Sequence, residues 1–311
     1  MAKLFDSGFS DWTPDRLPDL SGKSYLVTGA NSGLGFEASK ILRSKNADVF
    51  VAARNEGRGR GAVANLEKSP GTGAVELVKL DLADTASIRA AAEAVRGATD
   101  GLDGIVNNAG IMQTPQQKTA DGFEMQFGTN HLGHFLLNHL LFDLVAARYG
   151  RIVPVASIAH LGGKLNFDDL MMANDYSPTR AYSQSKLANL VYGIELQRRL
   201  TAGGSNVASI SSHPGYAATN LQSTGPTGAW KTIYKATNAL LAQPAERGAH
   251  PLALAAAADE AKPGGYYGPV AFGGARGKVS DSDVADAASD VESGSKLWDA
   301  SEELLGISWT I

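Results

Sequence analysis

Cysteine is absent from this 311-residue chain, which rules out a disulfide, a thiolate metal site and a thiol nucleophile. Neither sign of charge dominates. The net charge of −4 lacks the basic surplus with which a general nucleic-acid binder neutralises phosphates, so no nucleic-acid partner is expected. Long hydrophobic runs are also missing. The stretch from Phe135 to Ala147 is interrupted by Asn138, His139 and Asp143, and that from Pro251 to Ala258 is too short for a bilayer, so no membrane span is expected. Asp6, Asp11, Pro14 and Asp15 break up the N-terminus where a secretory signal needs an unbroken apolar stretch, and the expectation is a soluble, cytoplasmic protein. There is no fixed-period repeat, low-complexity tract or linker-like shift in composition. The organisation read from this is an N-terminal extension over residues 1–20 and a single domain over 21–311.

What the chain does contain is an alternation of short apolar runs with longer helical patterns. The runs are Tyr25 to Val27, Val49 to Ala53, Val75 to Leu80, Leu102 to Val106, Ile152 to Ala156, Val207 to Ile210 and Tyr266 to Tyr267. Most show little polar alternation, as expected of strands covered by helices on both faces. Leu34, Ala38, Ile41 and Leu42 keep helical spacing, as do Leu187, Leu190, Val191, Ile194 and Leu196. The predicted fold class is α/β: a Rossmann-type, doubly wound, seven-stranded parallel sheet with helices on both faces. The stretches near 162–178 and 215–240 read as substrate loops.

Thr28-Gly29-Ala30-Asn31-Ser32-Gly33-Leu34-Gly35 follows the first run and opens a helix. Glycines there let the backbone approach a pyrophosphate, and the helix start offers unpaired N–H groups and a favourable dipole. A glycine-rich turn without a ligand is the alternative. No Lys-Ser or Lys-Thr follows, which disfavours a nucleotide-triphosphate P-loop. The TGxxxGxG spacing resembles the opening motif of the single-domain branch of the short-chain dehydrogenase/reductase family. At the end of the second run, an acidic residue would select NAD by binding the ribose hydroxyls. Ala53 and Arg54 stand there instead, with Arg58 and Arg60 nearby, which favours NADP(H) over NAD(H). By the resemblance, Asp81 and Leu82 contact the adenine. Asn107-Asn108-Ala109-Gly110 reproduces the family's NNAG segment, as scaffold first and cofactor contact second.

Tyr182 and Lys186 lie four apart in a helical stretch, so they share a face. A phenol near pKa ~10 is a poor acid or base at neutral pH, but a neighbouring ammonium stabilises the phenolate and lowers that value. A tyrosine packed over a lysine stem is the bland alternative. By the family resemblance, Tyr182 protonates the carbonyl oxygen, Lys186 holds the nicotinamide ribose, Ser157 hydrogen-bonds the substrate oxygen and Asn130 orders a water in the proton relay. Pro214, Gly215 and Thr219 match a PGxxxT segment that would hold the nicotinamide carboxamide. The segments Gly122 to Leu137, Ala181 to Leu200 and Tyr266 to Pro269 are similar to the retinol dehydrogenase-like subgroup. Two departures flank Ser157: Pro154, whose missing N–H costs a ladder bond, and Ala156, where relatives often carry serine.

The function expected is an NADP(H)-dependent oxidoreductase acting on an aldehyde or ketone, or on the corresponding alcohol, of hydrophobic character. A non-catalytic cofactor-sensing protein and a reductase of conjugated double bonds are the alternatives. Met171, Met172, Leu221, Trp230, Tyr234, Leu240 and Leu241 are candidate walls of an apolar pocket, with Gln113 to Thr119 as another. His131, His134 and His139 read as packing residues and not metal ligands, since no carboxylate partner stands at motif spacing; Asp168-Asp169 and Asp281-Asp283 read as loop or cap residues. No metal is expected. Asp281 to Leu305 reads as a polar-faced helix. By analogy with the family, a homo-oligomer is allowed.

Overall fold

Buried apolar runs in this chain become parallel strands because helices close over both of their faces. The computed structural model describes residues 2–216 and 243–311. After a short β1 (Ala2–Lys3), β2 (Ser24–Thr28) leads into α1 (Gly33–Ser44), β3 (Asp48–Ala53) into α2 (Glu56–Glu67), and β4 (Val75–Lys79) into α3 (Thr85–Ala98). Then come β5 (Gly104–Asn107), a helical segment of α4 (Met125–Phe127), a π turn at Gly128–Leu132 and α5 (Gly133–Ala147), followed by β6 (Arg151–Pro154) and α6 (Pro178–Ala202). The chain continues through β7 (Ala208–Ser209), β8 (Ser211–Ser212), α7 (Ala245–Ala257), β9 (Tyr266–Ala271), β10 (Arg276–Asp281), β11 (Asp283–Val284) and α8 (Val291–Leu305).

The central sheet runs β4-β3-β2-β5-β6-β7, parallel throughout. Its order reverses direction beside β2, and the crevice at such a reversal, beyond the carboxyl ends of the strands, is where α/β sheets bind ligands. Leu26, Phe50, Ile105 and Ile152 face one helical layer with Phe135 and Leu190; Val27, Val51, Val106 and Val153 face the other with Leu42 and Leu252.

The sheet has six strands where seven were expected, and Pro154 supplies the reason. Ile210 N–H donates to the Ile152 carbonyl, and Ala156 N–H donates to the Ser212 carbonyl. The donor between them, facing the Ile210 carbonyl, would be residue 154, which as proline has none. The last parallel strand is therefore divided into β7 and β8, and the run at Tyr266–Tyr267 pairs in parallel with β8 in a separate three-stranded sheet, β10-β9-β8.

The C-terminal region also departs from expectation. Only Val291–Leu305 is α-helical, capped by Asp290 and ended by Gly306 in the left-handed conformation (φ 62°), with a short 3-10 turn at Asp286–Ala288 before it. Residues ahead of it form β10 and β11. Helix α8 lies on α6, with Trp298 and the following Trp309 buried against Phe135 and Tyr192. The N-terminal segment is tied down as well: Trp12 is buried and its backbone N–H donates to the Val279 carbonyl, Ser7 donates to both oxygens of Asp281, and β1 pairs antiparallel with β11. No helix among the described residues is long and apolar enough to cross a membrane.

Candidate active site

A cavity of about 730 Å³ opens at the carboxyl ends of the parallel strands and gathers most of the residues singled out in the sequence. Gly29, Asn31, Ser32, Gly33 and Leu34 form one wall, and Arg54, Asp81, Leu82, Asn108, Ala109 and Gly110 continue it. Ser157, Tyr182, Lys186, Pro214 and Gly215 complete the other side. Gly35 and Asn130 stand behind the wall. Thr219, together with the candidate pocket residues Leu221, Trp230, Tyr234, Leu240 and Leu241, lies outside the described residues.

The turn between β2 and α1 is shaped for an approaching phosphate. Gly29 sits at φ +66°, and a Cβ there would stand 2.9 Å from Ala109 Cα; a Cβ on Gly35 would meet Asn108 Nδ2 at 2.5 Å and the Gly29 carbonyl at 2.7 Å. Both positions thus require glycine for local packing. Asn108 Nδ2 donates to the Thr28 carbonyl at 2.8 Å, so this side chain ties the end of β2 to the turn after β5. The N-terminus of α1 faces the same space, and Ser32 at its N-cap makes no side-chain capping bond. An anion there would find unpaired backbone N–H groups. The residues present fit a dinucleotide.

At the far end of β3, Ala53 lines the cavity with Arg54 and Arg58, both exposed. Arg60 does not join them: its guanidinium reaches Glu56 on the same helix at 3.3 Å. Asp81 lines the cavity while its Oδ1 accepts the Ala83 N–H at 3.0 Å, a contact that holds the turn after β4.

Lys186 is fully buried on α6 and donates to the Val155 carbonyl at 2.9 Å. Burial lowers its pKa from 10.5 to about 8, because the ammonium gives up water on entering the site. Its Nζ lies 6.0 Å from the centre of the half-buried Tyr182 ring. Ser157 caps the one-and-a-half-turn 3-10 helix Ile158–Gly162, its Oγ accepting the Ala159 N–H at 3.2 Å. That bond leaves the hydroxyl proton available toward the cavity.

Asn130 occupies the π turn, and its side chain is committed to the protein. Oδ1 accepts the Ile111 N–H at 2.8 Å, while Nδ2 donates to the Ile111 carbonyl and to Ser185 Oγ, both at 2.9 Å. Ser185 in turn donates to the Tyr182 carbonyl at 2.8 Å. The amide is therefore a brace between the wall at Ile111 and the turn of α6 that carries Tyr182. Directly behind it, His134 Nδ1 donates to the Asn130 carbonyl at 2.9 Å, so its Nε2 is bare and accepts from the Thr28 hydroxyl at 2.9 Å. Thr28 Oγ1 also accepts the Ala109 N–H at 2.9 Å. Burial holds His134 down at about 4 and His131 at about 3, which keeps both neutral. His131 turns instead toward Ser301 on α8 at 3.0 Å, so the histidines of this segment do not converge.

Several wall residues escaped the sequence reading: Ile111, Met112, Ile158, Leu161, Thr179, Ser183, Tyr216 and Gly273. Ile158 and Leu161 follow Ser157 closely, and that adjacency was the available signal. Gln113 does reach the wall, where its Oε1 accepts from Thr179 Oγ1 at 3.2 Å. Met171 and Met172 do not; Met171 packs on the core and its sulfur accepts the Glu124 N–H at 3.2 Å.

A dinucleotide cradle at the reversal of a parallel sheet, sharing one cavity with a tyrosine, its lysine and a serine, defines a nicotinamide-dependent oxidoreductase fold. The family model "short chain dehydrogenase" matches residues 23–228, and the chain belongs to the short-chain dehydrogenase/reductase family, whose members use NAD(P)(H). It is similar to retinol dehydrogenase 11 of Homo sapiens, with 45% identity over 197 residues that span 63% of this chain and 61% of that protein, under two thirds of its length. Retinol dehydrogenase 12 of Mus musculus is 36% identical over 301 residues, covering 93% of this chain and 88% of that protein. Among solved structures, an uncharacterized protein from Mycobacterium Paratuberculosis shares 37% identity with a TM-score of 0.81, over 97% of this chain and all of that one.

Proposed function

We propose that this protein is an NADP(H)-dependent oxidoreductase that reduces an aldehyde or ketone, or oxidises the corresponding alcohol, on a hydrophobic substrate. The observation that carries the reading is that Ser157, Tyr182 and Lys186 line the same cavity as the glycine turn and Arg54. A bound NADPH supplies the hydride to the carbonyl carbon. Tyr182 gives its phenolic proton to the carbonyl oxygen, Lys186 stabilises the phenolate that results, and the Ser157 hydroxyl orients that oxygen. Asn130 keeps the Tyr182 turn in register through Ser185.

The preference for NADP(H) is supported by Ala53, which leaves the ribose site without a carboxylate, and by the guanidinium groups of Arg54 and Arg58 on the cavity wall. An apolar substrate is supported by Ile111, Met112, Ile158 and Leu161, and by the retinol dehydrogenases among the relatives, which point to a long apolar alcohol or aldehyde. We take residues 21–311 as one dehydrogenase unit.

Replacing Tyr182 with Phe is expected to leave NADPH binding within about twofold while carbonyl-dependent NADPH oxidation drops by about 10²-fold or more. Unchanged turnover would remove the mechanism, and product analysis separates carbonyl from alkene reduction. Arg54→Ala should reduce the ratio of NADPH to NADH affinity about tenfold, the effect of one lost charged contact on the 2′-phosphate; titration of cofactor fluorescence measures it.

A further inference from the structure

Two buried histidines outside the cavity touch the backbone of residues that line it. His160 donates from Nδ1 to the Ser157 carbonyl at 2.6 Å, and its Nε2 accepts the Ala285 N–H at 3.3 Å. His213 accepts the Gly215 N–H on Nδ1 at 3.2 Å, and its Nε2 lies 2.9 Å from Ser282 Oγ. The partners fix both tautomers. A carbonyl can only accept, so His160 carries its proton on Nδ1; a backbone N–H can only donate, so His213 is bare at Nδ1 and protonated at Nε2.

Each ring therefore spans from one cavity residue to one residue of the short segment Ser282–Ala285 that contains β11. The space between them is filled. Tyr266, on β9, stands edge-on to His160 at 5.6 Å and tilted against His213 at 5.1 Å, and its carbonyl accepts the Ser282 N–H at 2.8 Å. A Cβ on Gly268 would come within 2.0 Å of His213 Nε2, so β9 is pressed against that ring. Burial favours the neutral form of both imidazoles and holds His213 at about 3.

We propose that His160 and His213 are positioning residues that set Ser157 and the Pro214–Gly215 wall, respectively, against the C-terminal segment Ser282–Ala285. His160 governs the turn that presents the Ser157 hydroxyl to the substrate oxygen. His213 governs the backbone on the cofactor side. The two braces share an anchor, so the substrate oxygen's hydrogen-bond donor and the cofactor wall keep a common reference. This inference rests on the dehydrogenase reading given above and assigns separate duties within it.

The test uses the full chain with decanal and NADPH, reading kcat and KM for the aldehyde, NADPH affinity by fluorescence, and the circular-dichroism melt. His160→Leu is expected to lower kcat about tenfold or more with NADPH affinity within about twofold, because a misplaced hydroxyl weakens only transition-state contacts. His213→Leu is expected to weaken NADPH binding about tenfold, since the cofactor wall itself moves. His160→Asn keeps a donor at the Nδ1 position and should recover most of kcat, whereas His160→Gln should not. If the leucine variants fail to fold, that Asn-to-Gln contrast decides: Asn well above Gln supports the brace, and equal rates overturn it. Tyr182→Phe, run in parallel, separates the two levels. Turnover that survives Tyr182→Phe sinks the dehydrogenase mechanism, while an inactive Tyr182→Phe beside wild-type kinetics in both leucine variants sinks the braces alone.

Discussion

Lys186 is the residue whose environment is most directly readable as chemistry. Desolvation lowers its pKa from 10.5 to about 8, so the ammonium persists below that value and is lost above it. The phenolate of Tyr182 depends on that positive charge. The pH profile of kcat/KM for carbonyl reduction, which reports the free enzyme, is therefore expected to be level below about 8 and to fall above it. A profile flat to pH ~10 would show that the cation is not needed. The same shift bears on folding with the opposite trend: between about 8 and 10.5 the unfolded chain holds the lysine proton more firmly than the folded one, so this group makes the fold more stable as pH rises through that window. Asn130 shows why geometry was needed at this scale. The family resemblance points to it as a site residue, but only the bonds to Ile111 and Ser185 show that its side chain acts as a brace and is not held out to solvent.

Among the elements, those flanked by helices on both faces were legible in the sequence, because β2, β3, β5 and β6 are near-continuous apolar runs. The cradle was legible for a related reason, since its glycines obey local backbone constraints. Strand β10 was not. Arg276-Gly277-Lys278-Val279-Ser280-Asp281 has no apolar run, and it becomes a strand through pairing with β9 and the Trp12 bond to Val279. The histidine braces depend on contacts more than a hundred residues apart in sequence for His160 and Ala285, which no local pattern encodes. Helix α8 itself was legible, within the run read from Asp281 to Leu305, but its packing is long-range too. Its Trp298 is buried against Phe135, Tyr192 and Trp309, with the Arg199 guanidinium 4.4 Å from its ring, and it does not line the cavity. Trp298→Ala is expected to cost about 3–5 kcal/mol in urea unfolding while kcat at low temperature stays within about twofold. A large fall in kcat with stability intact would place α8 in the site.

For the whole molecule, the placement of α8 bears on association. It covers a face of α6, while Trp298 and Trp309 contact α5 and Ser301 contacts the π turn ahead of it, so a second copy could not use that face of the two helices without displacing it. Sedimentation equilibrium at micromolar concentration is expected to give the mass of one chain; a stable dimer that survives deletion of neither α8 nor Trp309 would show those residues to be part of the interface.

The strap formed by the first residues has a practical consequence. Ala2 pairs with Val284, the neighbour of Ala285, whose N–H is held by His160. Ser7 and Trp12 fasten β10 from the same side. A version of the chain beginning at Leu20 would keep every glycine of the phosphate turn and still unclasp the segment on which Ser157 leans. Trimming the leading residues is thus an operation on the reaction centre performed from the opposite end of the polypeptide.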